Sequence, residues 1–350
     1  MATAKRANGL STFYRSKTMA ERALRIVHCA NFSDKKFGAA FYATDRKISN
    51  GLIRNGHMVH DFSYRDVARN QGVLRLKQLG IEKMNRRLIE TVQAIEPDVL
   101  LLGHSELVSN QTLIEIRRQR PNMKIAMWWV DPLDGFLVNR AFFIERIDLV
   151  DDFFLTTAPQ ALKEFLPLEK PLDRIHFMPN ICDVSIDTGR AFAVQNPRHD
   201  LLFIGRKTGL RGDLIAFLQT RMSDRNLGLY GQSKDSLVQG QAYIDLLSNC
   251  QMAINFSRYN DIPLYSSDRQ VHLAANGCLT FTPETPEMKS LFSEDEMVYF
   301  ANFDDLREKV GYYSNNHDLA YKIAEAGQKR AHKNYESKRV TELLIETLKI

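Results

Sequence analysis

Three stretches of the 350-residue chain gather residue types that handle phosphates and protons. The densest is Gly205-Arg206-Lys207-Thr208-Gly209-Leu210-Arg211-Gly212, with three glycines and three cations in eight residues. Glycine lets a backbone approach a ligand closely and Arg or Lys neutralises its charge, so the composition suits a diphosphate; a solvated basic turn has the same composition. The second stretch is Tyr265–Phe281, YSSDRQVHLAANGCLTF. Ser266, Ser267 and Arg269 open a helix predicted over 269–276, Gly277 stops it, and an apolar strand follows. The N-terminus of such a helix offers free N–H groups and a positive dipole end, which again suit an anion, although most helix–Gly–strand units are only folding units. Ser257-Arg258 ends the strand just before it. The third set is split in two: Gly103-His104-Ser105-Glu106 and Asp131-Pro132 each follow an apolar run. His and carboxylate groups at strand ends can take or orient a proton, but Asp131 could equally cap a turn and His104 could be a satisfied loop residue.

These groups need a frame, and the apolar pattern supplies one. Strands are predicted at 24–30, 59–62, 99–102, 124–130, 153–156 and 175–179, with helices between them, including the amphipathic run Ile81–Ile95. Gly38 lies in the loop after the first strand, where an α/β sheet holds its ligands, but the loop is not a GxGxxG. Residues 180–199 lose all periodicity and read as an inter-domain connection. Strands at 201–204, 227–230, 252–256, 278–281 and 298–300 then alternate with helices at 213–219, 243–248 and 304–313, and 318–350 reads as helical. The domain reading is a basic tail over 1–22, an α/β domain over 23–180, a linker over 181–199, a second α/β domain over 200–330 and a terminal helix over 331–350.

Composition agrees with this layout. The chain is 44% hydrophobic, enough for two ordinary cores, and its net charge of +5 is modest for its size. Lys5, Arg6, Arg15, Lys17, Arg22 and Arg25 make the start of the chain a basic arm that could meet an anionic surface weakly. Cys29, Cys182, Cys250 and Cys278 are far apart with no CxxC pair, and they read as buried, reduced thiols. No apolar run reaches the roughly 18 to 20 residues of a membrane span. The expectation is a cytoplasmic protein, able at most to lie against the inner face of a membrane, with its oligomeric state left open.

The second half then resembles a known family. FIGRKTGLRGDLIAFL, LGLYGQ, YIDLLSNCQMAINFSR, DRQVHLAANGCLTFT, EMKSLF, MVYFANFDDLREKVGYY and AGQKRAHKNY follow one another as in nucleotide-sugar glycosyltransferases of the GT-B fold, with the spore-maturation-type group the most similar. The likeness covers about residues 200–345; the first half matches in outline, through the glycine loop, EPDVLLLGHSE and WWVDP. It implies two Rossmann-like domains facing each other across a cleft, with the terminal helix packing back on the first. It also implies that Arg206 and Arg211, with Lys207, hold a donor diphosphate, that the segment Arg269–Gly277 presents its helix N-terminus to the same group, and that Asp131 or His104 occupies a catalytic or sugar-contacting place; Gly38, Gly205, Arg258, Ser266, Ser267 and His272 complete the candidate donor site. His272 stands where many relatives carry a ribose-binding glutamate, and Leu264 stands where its partner acid lies. The resemblance implies metal-independent transfer from a nucleotide sugar to an acceptor hydroxyl, with retention favoured, and no resident cofactor. The predicted acceptor is a surface glycan or glycolipid; a modified DNA base is the alternative acceptor, and a non-catalytic nucleotide-sugar-binding protein is the alternative class. A two-domain oxidoreductase is disfavoured, because neither glycine loop has the dinucleotide spacing.

Overall fold

In the computed structural model, which describes residues 22–132, 142–164, 172–233 and 236–350, short apolar segments form two sheets whose recorded pairings are all parallel. The first sheet contains β1 (Arg25–Ala30), β2 (Met58–Ser63), β3 (Val99–Gly103), β4 (Lys124–Trp129), β5 (Asp152–Leu155) and β6 (Ile175–Phe177), in the order β2-β1-β3-β4-β5-β6. The second contains β7 (Leu201–Ile204), β8 (Leu227–Tyr230), β9 (Met252–Ile254), β10 (Leu279–Pro283) and β11 (Val298–Phe300), in the order β11-β10-β9-β7-β8. Each order reverses beside its own first strand, between β1 and β3 and between β7 and β9. Such a switch point opens a crevice at the carboxyl ends of the strands, and that is where α/β sheets take their ligands.

Helices cover both faces of each sheet, which is why β3, VLLLG, is buried along its whole length. In the first half they are α1 (Thr44–Arg54), α2 (Tyr64–Gln71), α3 (Ile81–Ile95) and α4 (Asn110–Gln119). The second half carries α5 (Leu210–Arg221), α6 (Gln241–Ser248), α7 (Arg269–Ala275), α8 (Phe303–Asn315), α9 (His317–Asn334) and α10 (Ser337–Leu348). None of these is long and apolar enough to cross a membrane. The basic arm predicted over 1–22 lies outside the described residues except for Arg22, which pairs with Asp98 at 2.8 Å.

Three local readings change. The sequence places no helix over Tyr64–Gln71, yet one forms with Tyr64 and Ala68 turned into the core. Helix α5 starts at Leu210 rather than 213, because Gly209 takes φ 52°, ψ −143° and turns the chain there. The long helix over 318–350 is two helices, since Glu336 leaves helical geometry and caps α10 by accepting the N–H groups of Lys338 and Arg339.

Helix α10 returns to the first half. Its Val340, Leu344, Ile345 and Leu348 share a core with Ile26, Ile48, Leu52, Leu101 and Trp128. The approach to α1 is close enough that a Cβ on Gly51 would lie 2.3 Å from the Ser337 carbonyl oxygen. The non-periodic segment 180–199 is fixed in place: Asp183 and Asp187 are fully buried, and Asp183 is bound by Arg54 and Asn50 of α1. Asp187 forms a buried ion pair with Lys47 at 2.6 Å and accepts Asn276 Nδ2 at 3.2 Å, joining α1, the connection and the end of α7.

Candidate functional site

At the carboxyl edge of the second sheet, the loops after β7 and β9 flank the switch point. Arg211, from the first turn of α5, and Arg269, from the first residue of α7, both donate to the Phe256 carbonyl, at 3.1 and 3.2 Å. A Cβ on Gly205 would lie 2.8 Å from the Phe203 ring, over which the Arg269 guanidinium packs at 5.5 Å, so the ring keeps its place because that position has no side chain. Arg258 packs over Tyr259 and its charge reaches Arg211. Burial, with Arg269 and then Arg258 beside it, holds the Arg211 pKa down to about 10, and burial lowers that of Arg269. Among the described residues neither of these two arginines is ion-paired; the Asp268 carboxylate influences both from beyond pairing distance. Cations crowded together with one shared carbonyl and no paired carboxylate are stabilised by an incoming anion.

The other predicted anion contacts divide. Arg206 and Lys207 are exposed beside the cluster, without an ion pair among the described residues. Ser267 is half-buried; its N–H donates to Ser257 Oγ at 2.8 Å and its hydroxyl approaches Asn255. Ser266 is buried and binds Asn180 through its carbonyl and hydroxyl, so its place is in the framework and not at the open edge. Gly38, at φ +89°, belongs to the first half, one residue before Ala39, whose carbonyl accepts the Gly240 N–H across the cleft at 2.9 Å. It is therefore at the cleft mouth and outside the arginine cluster.

His272 is fully covered. Tyr42, from the first half, stacks on Tyr243, from the second, with ring centroids 4.5 Å apart, and both rings stand edge-on to the imidazole. Tyr243 Oη is 3.2 Å from His272 Nδ1, while Nε2 is buried with no hydrogen-bond partner. Burial, then the Lys47 charge, lowers the His272 pKa to about 4, so the ring is neutral at ordinary pH. Leu264 is buried in an apolar cluster.

The first sheet offers a different edge. His104 adopts the left-handed conformation (φ 55°) after β3, and its ring stacks on Trp129 at 4.2 Å. The Val130 N–H donates to Nε2 at 3.3 Å, and Nδ1 faces Asp131 at 3.6 Å. Nε2 is thus taken up by the Val130 N–H, while Nδ1 faces the Asp131 carboxylate from beyond hydrogen-bonding distance, so the ring is held beside that carboxylate at the sheet edge. Asp131 itself is largely exposed and faces the other half, where its charge, after burial, pushes the Tyr265 phenol pKa up. Arg211 and Arg269 act on the same phenol in the opposite sense, so the charges of both edges reach Tyr265.

Further carboxylates line this edge. Glu106 receives the Tyr64 hydroxyl and Arg65 Nη2, the latter at 2.7 Å. Burial opposes its ionisation, but the Tyr64 hydrogen bond and Arg65 outweigh that and hold its pKa low. Asp45, in the first turn of α1, accepts the Asn31 N–H at 2.8 Å, and burial raises its pKa to about 6. Ser105 is buried and donates to the Cys29 carbonyl. Asp45 and Tyr42 carry no signal in the sequence because each sits in a loop or first turn with no motif around it, Tyr265 and Asp268 lie inside the conspicuous 265–281 stretch without standing out within it, and Arg65 and Tyr64 sit in the helix the pattern missed. Among the described residues no three His, Cys, Asp or Glu side chains are grouped as metal ligands.

Residues 206–346 match the family described as glycosyl transferase-like. No curated protein matches the chain by sequence. Among solved structures, an alpha-glucosyltransferase in complex with UDP-glucose and DNA containing an abasic site superposes with a TM-score of 0.62 at 13% identity, over 94% of this chain and 100% of that one. The Anabaena protein HepE in complex with UDP and glucose gives 0.60 at 12% identity, over 93% and 99%. A glycosyltransferase from Rickettsia africae gives 0.55 at 12%, over 94% and 98%. The architecture is the GT-B fold of glycosyltransferases, two Rossmann-like domains with their carboxyl edges facing.

Proposed function

We propose that this GT-B protein, whose second half is glycosyl transferase-like, moves a glycosyl unit from a nucleotide sugar to an acceptor hydroxyl. The observation that carries the reading is the pair Arg211 and Arg269, sharing the Phe256 carbonyl at a switch point and lying across the cleft from Asp131. In the reaction the bond from the anomeric carbon to the phosphate oxygen breaks, its electron pair goes to the diphosphate, and the acceptor oxygen bonds to the same carbon. Arg211, Arg269 and Arg258 stabilise the charge that grows on the leaving group, worth several kcal/mol in sites of this kind. They do so without a metal and without a resident cofactor, the nucleotide sugar being a co-substrate. We take the transfer as retaining, in line with the resemblance to the spore-maturation-type group: the leaving phosphate accepts the acceptor proton, and Asp131, beside His104, orients the acceptor.

The donor is read as a UDP-sugar, because the similar alpha-glucosyltransferase and HepE were solved with UDP or UDP-glucose. The acceptor is read as a polyhydroxylated glycan or glycolipid, since Asp45, Glu106 and Asp131 can accept hydrogen bonds from hydroxyls and would repel phosphates. A DNA acceptor is the second reading, favoured by the likeness to an alpha-glucosyltransferase solved with DNA. Nucleotide release from a panel of UDP-, GDP-, ADP- and CMP-sugars tests the proposal: release from one donor class, lost in Arg269→Ala, is expected. Binding of a donor with no release from any would instead support a non-catalytic protein, in which His272 and Leu264 replace the usual acid pair. A salt-sensitive gel shift with duplex DNA would move the acceptor to the second reading.

A further inference from the structure

Some of the most exposed apolar side chains of the molecule are gathered on one knuckle of the first half. Phe37 is 96% exposed and Leu74 86%, and Val73, Leu76 and Leu79 are also exposed. The knuckle is built and has a fixed base. Residues 72–80 fold back on α2 so closely that a Cβ on Gly72 would lie 2.0 Å from the Leu76 carbonyl oxygen, and one on Gly80 1.9 Å from that of Ala68. Leu74 and Arg75 both hold φ 56°, a conformation that non-glycine residues rarely adopt. A loop that keeps such geometry with its aliphatic side chains outward presents an apolar patch of the kind that marks an interaction surface.

The charge around the patch is one-sided. A groove of about 840 Å³ beside it is lined by Lys35, Phe37, His60, Arg69, Arg75 and Arg87, which places Phe37 and the knuckle on one face. The acids of that groove are engaged: Arg46 holds Asp34 and Asp61, and Arg69 holds Asp66. Arg87 is paired with Glu90 and Arg86 with Glu82. Lys35, Lys36, Arg75, Lys77 and Lys83 have no carboxylate partner among the described residues. Residues 64–95 carry seven Lys and Arg against three acids, a local excess of positive charge beside the knuckle.

We propose that this knuckle docks on an anionic lipid bilayer, with Leu74, Leu76, Leu79, Val73 and Phe37 entering the boundary between headgroups and acyl chains and the unpaired cations meeting the headgroups. Aliphatic tips ringed by Lys and Arg match that interface. Duplex nucleic acid would use the cations but has no place for five exposed apolar side chains. Ser63, the last residue of β2, and Asp66, in the first turn of α2, line the groove, so a docked bilayer lies next to the carboxyl edge that faces the cleft. The inference does not depend on the glycosyl-transfer reading.

The test is co-sedimentation of the full chain with vesicles of phosphatidylcholine alone and of phosphatidylcholine mixed with phosphatidylglycerol, over a salt series. Binding is expected to need the anionic lipid, to weaken with salt, and to fall by roughly tenfold or more both in Leu74→Glu/Leu76→Glu and in Lys35→Glu/Arg75→Glu. All four positions are exposed, and unchanged thermal unfolding and circular dichroism confirm that the variants fold. No binding to anionic vesicles overturns the proposal. So does binding that survives Leu74→Glu/Leu76→Glu, which assigns it to the basic N-terminal arm. A duplex DNA shift abolished by Lys35→Glu/Arg75→Glu but not by the leucine changes, without vesicle binding, makes the face a nucleic-acid surface instead.

Discussion

The two halves of the cleft are built alike and charged oppositely. Each sheet reverses its strand order beside its own first strand and turns its carboxyl ends to the other. The second sheet places Arg211 and Arg269 at that point without an ion-paired carboxylate among the described residues, so the edge has positive charge to offer. The first places Asp45, Glu106 and Asp131 there, and two of these are already committed to local donors: Asn31 to Asp45, and Tyr64 with Arg65 to Glu106. One topology therefore yields an anion receptor and a hydroxyl receptor, and the difference lies in a handful of loop residues. Fold alone carries no chemistry here; the side chains at the strand ends do.

If the halves work as one unit, the strongest effect comes from separating them. Lys47→Ala leaves Asp187 buried and uncompensated, and the loss of stability should be about 3–5 kcal/mol by denaturant titration. A loss below about 1 kcal/mol would mean that this contact does not join the edges. Acid should act on both halves, because His28 lies beneath the first edge and His272 beneath the second. Burial lowers their pKa values to about 3 and about 4, with the Arg46 charge adding to the first and Lys47 to the second. The unfolded chain binds these protons near pH 6.5 and the folded chain does not, so stability is full above that pH and is lost as pH falls toward 4. Asp45 has the opposite sign. Its pKa is raised to about 6, so the folded form holds a proton that the unfolded form has released, and stability falls as pH rises between about 4 and 6. Asp45→Asn should therefore steepen the acid loss, and unfolding midpoints measured across that range check it.

The division of labour is tested at the edges themselves. Arg211→Ala and Arg269→Ala should each weaken UDP binding by about 1.5–3 kcal/mol in a calorimetric titration, with acceptor KM unchanged. Unchanged UDP affinity in both would remove the donor assignment. Glu106→Gln should do the reverse, raising acceptor KM by roughly tenfold while leaving UDP affinity alone, since it loosens Arg65 and Tyr64 at the first edge only. A matching loss of UDP affinity would show that the two edges are not separable.

Much of this architecture was legible in the chain because it is local. Runs such as VLLLG and KIAMWW announce buried parallel strands, Gly277 announces the end of α7, and the stretches holding Arg211 and Arg269 were each conspicuous for their residue types. Strand order, and with it the switch points, is set by pairing between segments far apart in sequence. That pairing alone brought Arg211 and Arg269 to one carbonyl and put Tyr265 within reach of their charge and that of Asp131. It also buried Ser266 against Asn180, tied Nε2 of His104 to the Val130 N–H, and closed Tyr42 and Tyr243 over His272. The sequence by itself determined the elements and the kinds of group available, because a side chain's type and its apolar period are properties of a short stretch. Which groups meet the ligand and which hold the frame was decided by tertiary structure, because burial and hydrogen-bond partners are supplied by residues from elsewhere in the chain.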